Sequence, residues 1–273
     1  MLVHALKDEI QDAYRSWLDA RGFNPRRGQR QMIADVATGI TDDGGRICVI
    51  EAGTGTGKTA AYCLAVIPVA QAEGKKIVIS TATIALQEQV LLKDLPDLAA
   101  HTTLDFSYVL AKGRSRYVCL KRLNEALDMD VSMVIPLFEE PRSSDVKIYE
   151  AMATKFERGN WDGELESWVG PIDPESWRRL TTDHRGCANN RCDYFQSCPF
   201  FRARGEIDGA DIIVANHDLV LADLNLGGGV ILPQPDETIL VLDEAHHLPQ
   251  KTQQHFTLSA RVGATGRWLE QLN

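Results

Sequence analysis

Apolar residues in the first forty positions recur at helical spacing. Over 3–20 they lie three or four residues apart, which predicts an amphipathic helix. A second stripe between Met32 and Ile40 predicts another helix, and the aspartate and glycine residues at 42–45 predict a turn after it. The members of the first stripe are Leu6, Ile10, Ala13, Tyr14, Trp17 and Leu18.

Farther along, short apolar runs alternate with helical patterns. Helices are predicted over 58–72 and 84–92. The runs that predict strands, all rich in valine, isoleucine or leucine, are 46–51, 76–80, 211–215 and 238–242. Nearly continuous apolar strands separated by helices are typical of a parallel sheet that is covered on both faces. The pattern therefore predicts an α/β fold.

Residues 111–205 break this alternation. The region has few apolar runs, but it holds four of the six cysteines and three of the five tryptophans, Trp161, Trp168 and Trp177. Such a change in composition predicts an insertion within the α/β domain.

Composition and charge limit the classes of protein to which this chain can belong. A chain of 273 residues with 44% hydrophobic content can bury a large core. It has neither an apolar run of about eighteen residues, which a transmembrane helix needs, nor a signal peptide, so we expect a cytosolic protein with no membrane partner. The net charge of −9 argues against a uniformly basic nucleic-acid binder, although a local basic groove remains compatible with it.

A glycine-rich loop lies between the predicted strand 46–51 and the predicted helix that begins at Lys58. Glycines let such a loop wrap tightly and aim backbone N–H groups at phosphates, and the helix N-terminus adds to this attraction. We expect Lys58 to reach the β- and γ-phosphates of ATP and Thr59 to bind Mg²⁺. Alanine at the first position is a departure that a looser form of the motif allows. The loop residues are Ala52, Gly53, Thr54, Gly55, Thr56, Gly57, Lys58 and Thr59.

Two acids follow the apolar strand 238–242. Ligands of parallel sheets bind at the carboxyl edge, so we expect Asp243 to hold Mg²⁺ and Glu244 to orient and deprotonate the attacking water. Taken alone, the pair is equally consistent with a strand that runs into a solvated turn. The sequence Asp-Glu-Ala-His over 243–246 is also the helicase form of this motif.

Two further segments resemble parts of helicases. Arg26 and Gln29 lie where such motors place a glutamine that reads adenine, and an amide offers both a donor and an acceptor for this purpose; the alternative is a surface amide on a helix. Thr81 and Thr83 lie in a segment that resembles one contacting the nucleic-acid backbone. Thr83 is alternatively a helix cap.

Four cysteines form the pattern C…C-x₄-C-x₅-C-P. They lack the close C-x₂-C pairs of zinc sites, so the spacing favours a [4Fe–4S] cluster over zinc or free thiols. The predicted ligands are Cys119, Cys187, Cys192 and Cys198. Cys48 and Cys63 lie in an apolar strand and helix and are predicted to be core residues.

Cations and aromatic residues are interleaved near these cysteines. Bases stack on aromatic rings while cations follow phosphates, so the mixture predicts contacts with single-stranded nucleic acid. The candidates are Arg114, Arg116, Tyr117 and Tyr194. A solvated basic face, or arginines that serve only the cluster, is the alternative.

Together these motifs resemble the DinG branch of the XPD-type iron–sulfur DNA helicases. The resemblance adds the segments Gly-Arg-Ser-Arg-Tyr-Val-Cys at 113–119 and Val-Ala-Asn-His at 214–217. It implies a RecA-like P-loop NTPase domain with a parallel sheet, interrupted by a mainly helical iron–sulfur insertion. The implied boundaries are 1–110 and 206–260 for the first lobe, 111–205 for the cluster insertion and 261–273 for the start of an arch insertion.

The same resemblance implies a superfamily 2 motor that uses ATP and Mg²⁺ to move 5′→3′ on single-stranded DNA. The expected substrates are forks, displacement loops and RNA–DNA hybrids during repair in the bacterial cytoplasm, at the nucleoid, with single-stranded DNA-binding protein as a partner and a monomeric state. The second lobe and its arginine finger are absent from the chain, so we expect an N-terminal motor fragment that hydrolyses ATP slowly and does not unwind DNA alone.

Two alternatives come from other functional classes. One is a complete ATP- and cluster-dependent nucleic-acid-binding or sensor module without helicase activity. The other is an unrelated P-loop enzyme, such as a kinase with a zinc-stabilised insertion, for which the sequence marks no phosphoryl acceptor site.

Overall fold

A computed structural model describes residues 4–42, 47–53, 55–128, 143–183 and 186–257. The chain divides into two compact units. The first comprises Met1–Phe106 and Val214–Asn273, and the second comprises Ser107–Ile213. The predicted insertion 111–205 lies inside the second unit, and the predicted arch residues 261–273 lie outside the described residues.

In the first unit each strand is followed by a helix. In chain order the described elements of both units are α1 (His4–Arg21), α2 (Arg27–Thr41), α3 (Lys58–Glu73), β1 (Lys76–Thr81), α4 (Ile84–Gln89), α5 (Leu95–His101), β2 (Tyr108–Leu110), α6 (Leu120–Asp128), α7 (Ser143–Glu157), α8 (Pro174–Arg179), α9 (Pro199–Gly209), β3 (Ile212–Asn216), α10 (His217–Asn225), β4 (Thr238–Leu242) and α11 (Leu248–Phe256). Among the described helices, none is both long and apolar enough to cross a bilayer.

The strands form one sheet in the order β2–β3–β1–β4. β1 and β4 are parallel, with Ile77 opposite Ile239 and Ser80 opposite Leu242. β1 and β3 are buried along nearly their whole length, whereas β4 is an edge strand. Because parallel strands need crossover connections, helices come to lie on the sheet. The prediction of an α/β fold with a parallel sheet is confirmed.

One predicted strand is not formed. Residues 47–53 have no regular secondary structure, and Ile47 and Val49 are 87% and 91% exposed. The prediction of a strand at 46–51 is therefore wrong for the described part of this segment. A short apolar run becomes a strand only when a neighbouring strand pairs with it. Cys48 is accordingly half-buried rather than a core residue, whereas Cys63 is fully buried as predicted.

The core of the first unit is built around α3. This helix is apolar on all sides, and every residue from Ala61 to Ala70 is buried. A helix of this kind must lie inside the domain. The buried stripe of α1 agrees with the predicted helix over 3–20, since Ile10, Ala13 and Trp17 all lie in the core.

A buried carboxylate holds the loop between α10 and β4. Asp223 is 4% exposed and accepts hydrogen bonds from the backbone N–H groups of Gly229 and Val230, both at 2.9 Å, and of Ile231 and Leu232. The loop needs glycine, because φ is positive at each of the positions 227–229.

We expect Asp223→Asn to lower the free energy of unfolding by about 3 kcal/mol, because the new NH₂ group faces N–H donors and the charge-assisted bonds are lost. Urea denaturation measures this value. Asp236→Asn, at an exposed position in the turn before β4, is the matched control and should change stability by less than about 0.5 kcal/mol. Equal effects of the two substitutions would contradict the structural role of Asp223.

The second unit has a core of its own. Trp161 lies at its centre, with ring centroids 5.1 Å from Trp168 and 6.4 Å from Trp177. The buried members of this core are Val118, Leu120, Leu123, Tyr149, Met152, Trp161, Trp177 and Leu180. The three tryptophans that distinguish this region in the sequence therefore serve its packing.

Candidate functional site

The glycine-rich loop leads directly into α3. Gly55 and Gly57 have φ values of +77° and +76°, a conformation that favours glycine. At Gly57 a Cβ would also come within 2.5 Å of Gln29 Nε2. The Thr56 hydroxyl donates to the carbonyl of Gly53 at 2.9 Å. The loop thus places the N-terminus of a buried sixteen-residue helix where an anion would bind. Thr54 lies outside the described residues.

Lys58 and the acidic pair come together although they are far apart in the sequence. Lys58 Nζ donates to Glu244 Oε1 at 2.6 Å, and the Tyr62 hydroxyl is 3.5 Å from Asp243 Oδ2. The backbone N–H of Asp243 donates to the carbonyl of Ser80 at 2.8 Å, which holds the end of β4 against β1. The Thr59 hydroxyl interacts with Asp94 and Tyr62.

The two carboxyl groups differ in their surroundings. Burial raises the pKa of Asp243, the charge of Glu244 raises it further, and Lys58 opposes the shift. The hydrogen bond from Lys58 lowers the pKa of Glu244, which keeps this residue ionised at neutral pH. Glu244 also has a φ of +54°, an uncommon value for a residue with a side chain, and such values cluster at functional sites.

Gln29 and Arg26 bind the glycine-rich loop from α2 and its N-cap. Gln29 is 4% exposed; its Nε2 donates to the carbonyl of Gly57 at 3.3 Å, and its Oε1 accepts from the Tyr14 hydroxyl at 3.1 Å. Arg26 Nη1 donates to the carbonyl of Gly55 at 2.7 Å. The alternative of a surface amide at Gln29 is therefore wrong. Tyr14, which the periodicity assigns only to the core, additionally orients this amide.

The last residue of β1, Thr81, and the N-cap of α4, Thr83, are two threonines in different environments. Thr83 caps α4, since its hydroxyl accepts from the N–H of Leu86 at 3.3 Å. Thr81 is fully buried and its hydroxyl donates to the carbonyl of Thr83 at 3.2 Å. The structure thus shows Thr83 as a helix cap, which was the alternative to a backbone contact. The Thr81 hydroxyl is not exposed to a phosphate in this structure.

Within the second unit, the four predicted cysteine ligands line one cavity. Aromatic side chains form much of the remaining wall. The lining includes Cys119, Cys187, Cys192, Cys198, Tyr117, Tyr194, Phe195, Phe200 and Phe201. The N–H of Cys119 donates to the carbonyl of Leu180 in the core at 2.7 Å, and Cys198 is the residue that precedes α9. Burial raises the pKa of the Cys198 thiol, and its neighbours Cys119 and Cys187 add to the shift.

The four thiols share this cavity without forming a compact ligand set. Across the residues that the structure describes, no group of three or more His, Cys, Asp or Glu side chains is arranged to hold a metal ion. A tetrahedral zinc site needs its ligands about 2.0–2.3 Å from one centre. In an iron–sulfur cluster the thiolates bind different irons, so their sulfurs are more widely spaced.

Comparison with known proteins agrees with these features. The DEAD/DEAH box helicase family matches residues 26–137, and a second family model, DEAD_2, matches residues 187–262. ATP-dependent DNA helicase DinG from Photobacterium profundum is 40% identical over 280 residues, covering 100% of this chain and 40% of that protein. The protein of the same name from Escherichia coli is 39% identical over 274 residues, covering 96% of this chain and 37% of that protein.

Over nearly its whole length the chain is similar to one portion of the DinG helicases. It spans about 40% of the length of these DinG relatives. A solved structure titled XPD helicase aligns with a TM-score of 0.44 and 14% identity, covering 85% of this chain and 34% of that chain.

Some of the residues predicted to contact nucleic acid are buried near the cysteine cavity. Tyr117 is 4% exposed, with its ring centroid 5.7 Å from that of Phe200, so it offers no face on which a base can stack. Tyr194 packs against the core of the second unit. The Arg114 guanidinium lies 4.1 Å from the Phe200 ring centroid. The stacking prediction for Tyr117 is wrong because its ring is needed for packing.

Acidic residues that the sequence did not single out pair with the cations near the cavity. Arg116 forms an ion pair with Glu166, and Lys112 pairs with Glu164 and, at 3.4 Å, with Glu166. These pairs neutralise part of the basic face that the sequence predicts. Arg114 and Arg116, which flank Cys119, therefore make their contacts within the second unit in this structure.

Proposed function

We propose that this chain is the nucleotide-binding motor segment of an ATP-dependent DNA helicase of the DinG type. The 2.6 Å contact between Lys58 and Glu244, with Asp243 beside it at the carboxyl end of β4, supports this proposal most directly. The arrangement places a phosphate-binding lysine, a candidate magnesium ligand and a candidate base around the N-terminus of one helix.

ATP would bind along the glycine-rich loop, and its phosphates would draw Lys58 away from Glu244. Thr59 and Asp243 would hold Mg²⁺, which supplies positive charge to the β- and γ-phosphates. Glu244, freed from the lysine, then orients a water molecule and accepts its proton as the water attacks the γ-phosphorus. The bond to the β–γ bridging oxygen breaks and ADP leaves with the electron pair. Arg26 and Gln29 keep the loop in place from α2.

The cysteine cavity supports a second part of the proposal. Cys119, Cys187, Cys192 and Cys198 would hold a [4Fe–4S] cluster, since four thiols from separate segments surround one cavity with largely aromatic walls. The second unit would then be a cluster domain, in line with the insertion proposed at 111–205. Its cluster would brace the surface at which DNA strands separate.

The name shared by the relatives, ATP-dependent DNA helicase, indicates the proposed substrate. We propose movement 5′→3′ on single-stranded DNA and opening of forks, displacement loops and RNA–DNA hybrids in repair, in the bacterial cytoplasm. Because this chain spans about 40% of its relatives, unwinding would need the remaining length. The alternative sensor module would bind ATP and DNA equally well but would not couple them to strand separation.

ATP hydrolysis and unwinding, measured on this chain beside a full-length protein that contains it, test the proposal. We expect DNA-stimulated phosphate release and fork opening from the full-length protein, and nucleotide binding with very slow hydrolysis from the chain alone. An arginine finger of the missing part would account for a difference of about 10³–10⁵-fold. Nucleotide and DNA binding without unwinding in the full-length protein would support the sensor module instead.

A further inference from the structure

A buried tyrosine on α3 directs its hydroxyl at the acidic pair. Tyr62 is 5% exposed, and its hydroxyl lies 3.5 Å from Asp243 Oδ2. A phenol keeps its proton at neutral pH, so this hydroxyl donates and the carboxylate accepts. Tyr62 belongs to the run 61–70 of α3, in which every residue is buried, and the packing around this run fixes the direction of its ring.

The same face of α3 contacts both acids. Lys58 and Tyr62 are four residues apart on this helix, so their side chains lie one above the other. Lys58 contacts Glu244 at 2.6 Å, and Tyr62 contacts Asp243, the residue before it. When the phosphates of ATP draw Lys58 away from Glu244, the contact of Tyr62 with Asp243 keeps α3 in register with the acidic pair.

The Asp243 carboxylate is held at both of its oxygens. Oδ1 accepts from the backbone N–H of Glu244 at 3.0 Å, and Oδ2 faces the Tyr62 hydroxyl. The backbone of the same residue is fixed separately, because its N–H donates to the carbonyl of Ser80 at 2.8 Å. Each carboxylate oxygen can accept two hydrogen bonds. One donor at each oxygen therefore fixes the plane of the carboxylate and leaves room on both oxygens for a metal ion or its water.

We infer that Tyr62 is a positioning residue whose hydroxyl holds the Asp243 carboxylate in place for Mg²⁺. The inference rests on the proposed ATPase site. Its donor set suits this ion, because Mg²⁺ prefers oxygen ligands and takes only one or two of them from the protein, with phosphates and water supplying the rest. Asp243 and Thr59 offer such oxygens. Tyr62 itself touches neither the ion nor ATP and acts through Asp243 alone.

Tyr62→Phe in the full-length protein separates the hydroxyl from the ring, since it keeps the packing and removes the donor. We expect the Kd for Mn²⁺, a paramagnetic substitute for Mg²⁺, to rise about tenfold in the presence of ADP, because partners that orient a metal ligand contribute this much to affinity. The electron paramagnetic resonance signal of free Mn²⁺ measures this value. The affinity for ADP in EDTA should change less than about twofold, since the hydroxyl acts only through the metal ligand.

Tyr149→Phe is the matched control. Tyr149 is fully buried, and its hydroxyl donates to the carbonyl of Ser176 at 3.1 Å within the second unit. Its replacement should lower the melting temperature and leave the Kd for Mn²⁺ unchanged. If Tyr62→Phe did the same, the hydroxyl would serve stability alone and the inference would be overturned. An equal loss of ADP affinity in EDTA would also overturn it, because the hydroxyl would then shape the nucleotide loop.

A second substitution shows whether Tyr62 acts through Asp243. In an Asp243→Ala background, Tyr62→Phe should weaken Mn²⁺ binding no further, whereas additive losses would contradict the inference. The proposed function fails separately, if the unaltered full-length protein binds Mn²⁺ and ADP but releases no phosphate from ATP; the Mn²⁺ affinities then still decide the role of Tyr62. If the unaltered protein binds no Mn²⁺ with ADP, the magnesium site and the role of Tyr62 are both wrong.

Discussion

Lys58→Ala should reduce ATP turnover of the full-length protein on the order of 10³-fold, because the variant has no charge to stabilise the phosphates as the γ-phosphoryl group leaves. The fold should survive. The Lys58–Glu244 pair is partly solvated, with 26% of each side chain exposed, and pairs of this kind contribute at most about 1 kcal/mol. DNA-stimulated phosphate release measures the effect, and circular dichroism checks the fold.

Lys75→Ala is the matched control for this loss. Lys75 follows α3 at its other end and pairs with Glu73 at 2.9 Å, with similar exposure of the two side chains. Its replacement should leave turnover unchanged. If Lys58→Ala retained at least half of the normal turnover, the phosphate-binding role would be untenable.

Cys192→Ser should remove the proposed cluster and reduce strand separation at least about tenfold, because a serine hydroxyl is a far poorer iron ligand than a thiolate. Bound iron and acid-labile sulfide, visible absorption and fork unwinding report these changes. Nucleotide binding should persist, since the glycine-rich loop belongs to the first unit. Tryptophan fluorescence should rise, because Trp161 and Trp177 share a core with Val118, the neighbour of Cys119, and would be quenched by a cluster.

Cys48→Ser provides the control for thiol loss as such. Cys48 is a half-buried cysteine of the first unit and does not line the cavity. Its variant should keep its iron, its colour and its unwinding rate. If the Cys192→Ser protein lacked iron but unwound DNA normally, the cluster would have no role in strand separation. If the unaltered protein contained stoichiometric zinc, the four cysteines would be assigned to a zinc site instead of a cluster.

The α/β class follows from sequence because it depends on local features. Apolar runs of strand length separated by helical stripes already require a sheet with helices on it, and three of the four predicted strands match β1, β3 and β4. The fourth, predicted at 46–51, did not form over its described residues, 47–51. The same local pattern is present there, but pairing depends on a neighbouring strand, which periodicity does not reveal.

In the candidate site, too, some features are predictable from local sequence and others depend on distant residues. The glycine-rich loop, the acidic pair and the cysteine pattern are recognisable in the sequence because each motif is short and its spacing carries the chemistry. The rule that ligands bind at the carboxyl edge of parallel strands predicts that the acidic pair lies near the phosphates, and the structure shows Glu244 in contact with Lys58.

The surroundings of these motifs were decided by the tertiary structure alone. Gln29 is buried under the glycine-rich loop, Tyr117 is committed to packing, and the glutamates 164 and 166 neutralise nearby cations. Ser80, near the end of β1, contacts His217, which directly follows β3, and no local sequence pattern connects these two residues. Burial and pairing partners are set by residues distant in the chain. The sequence by itself therefore determined which chemical groups this protein has, and only the folded chain decided which of them face solvent and which face one another.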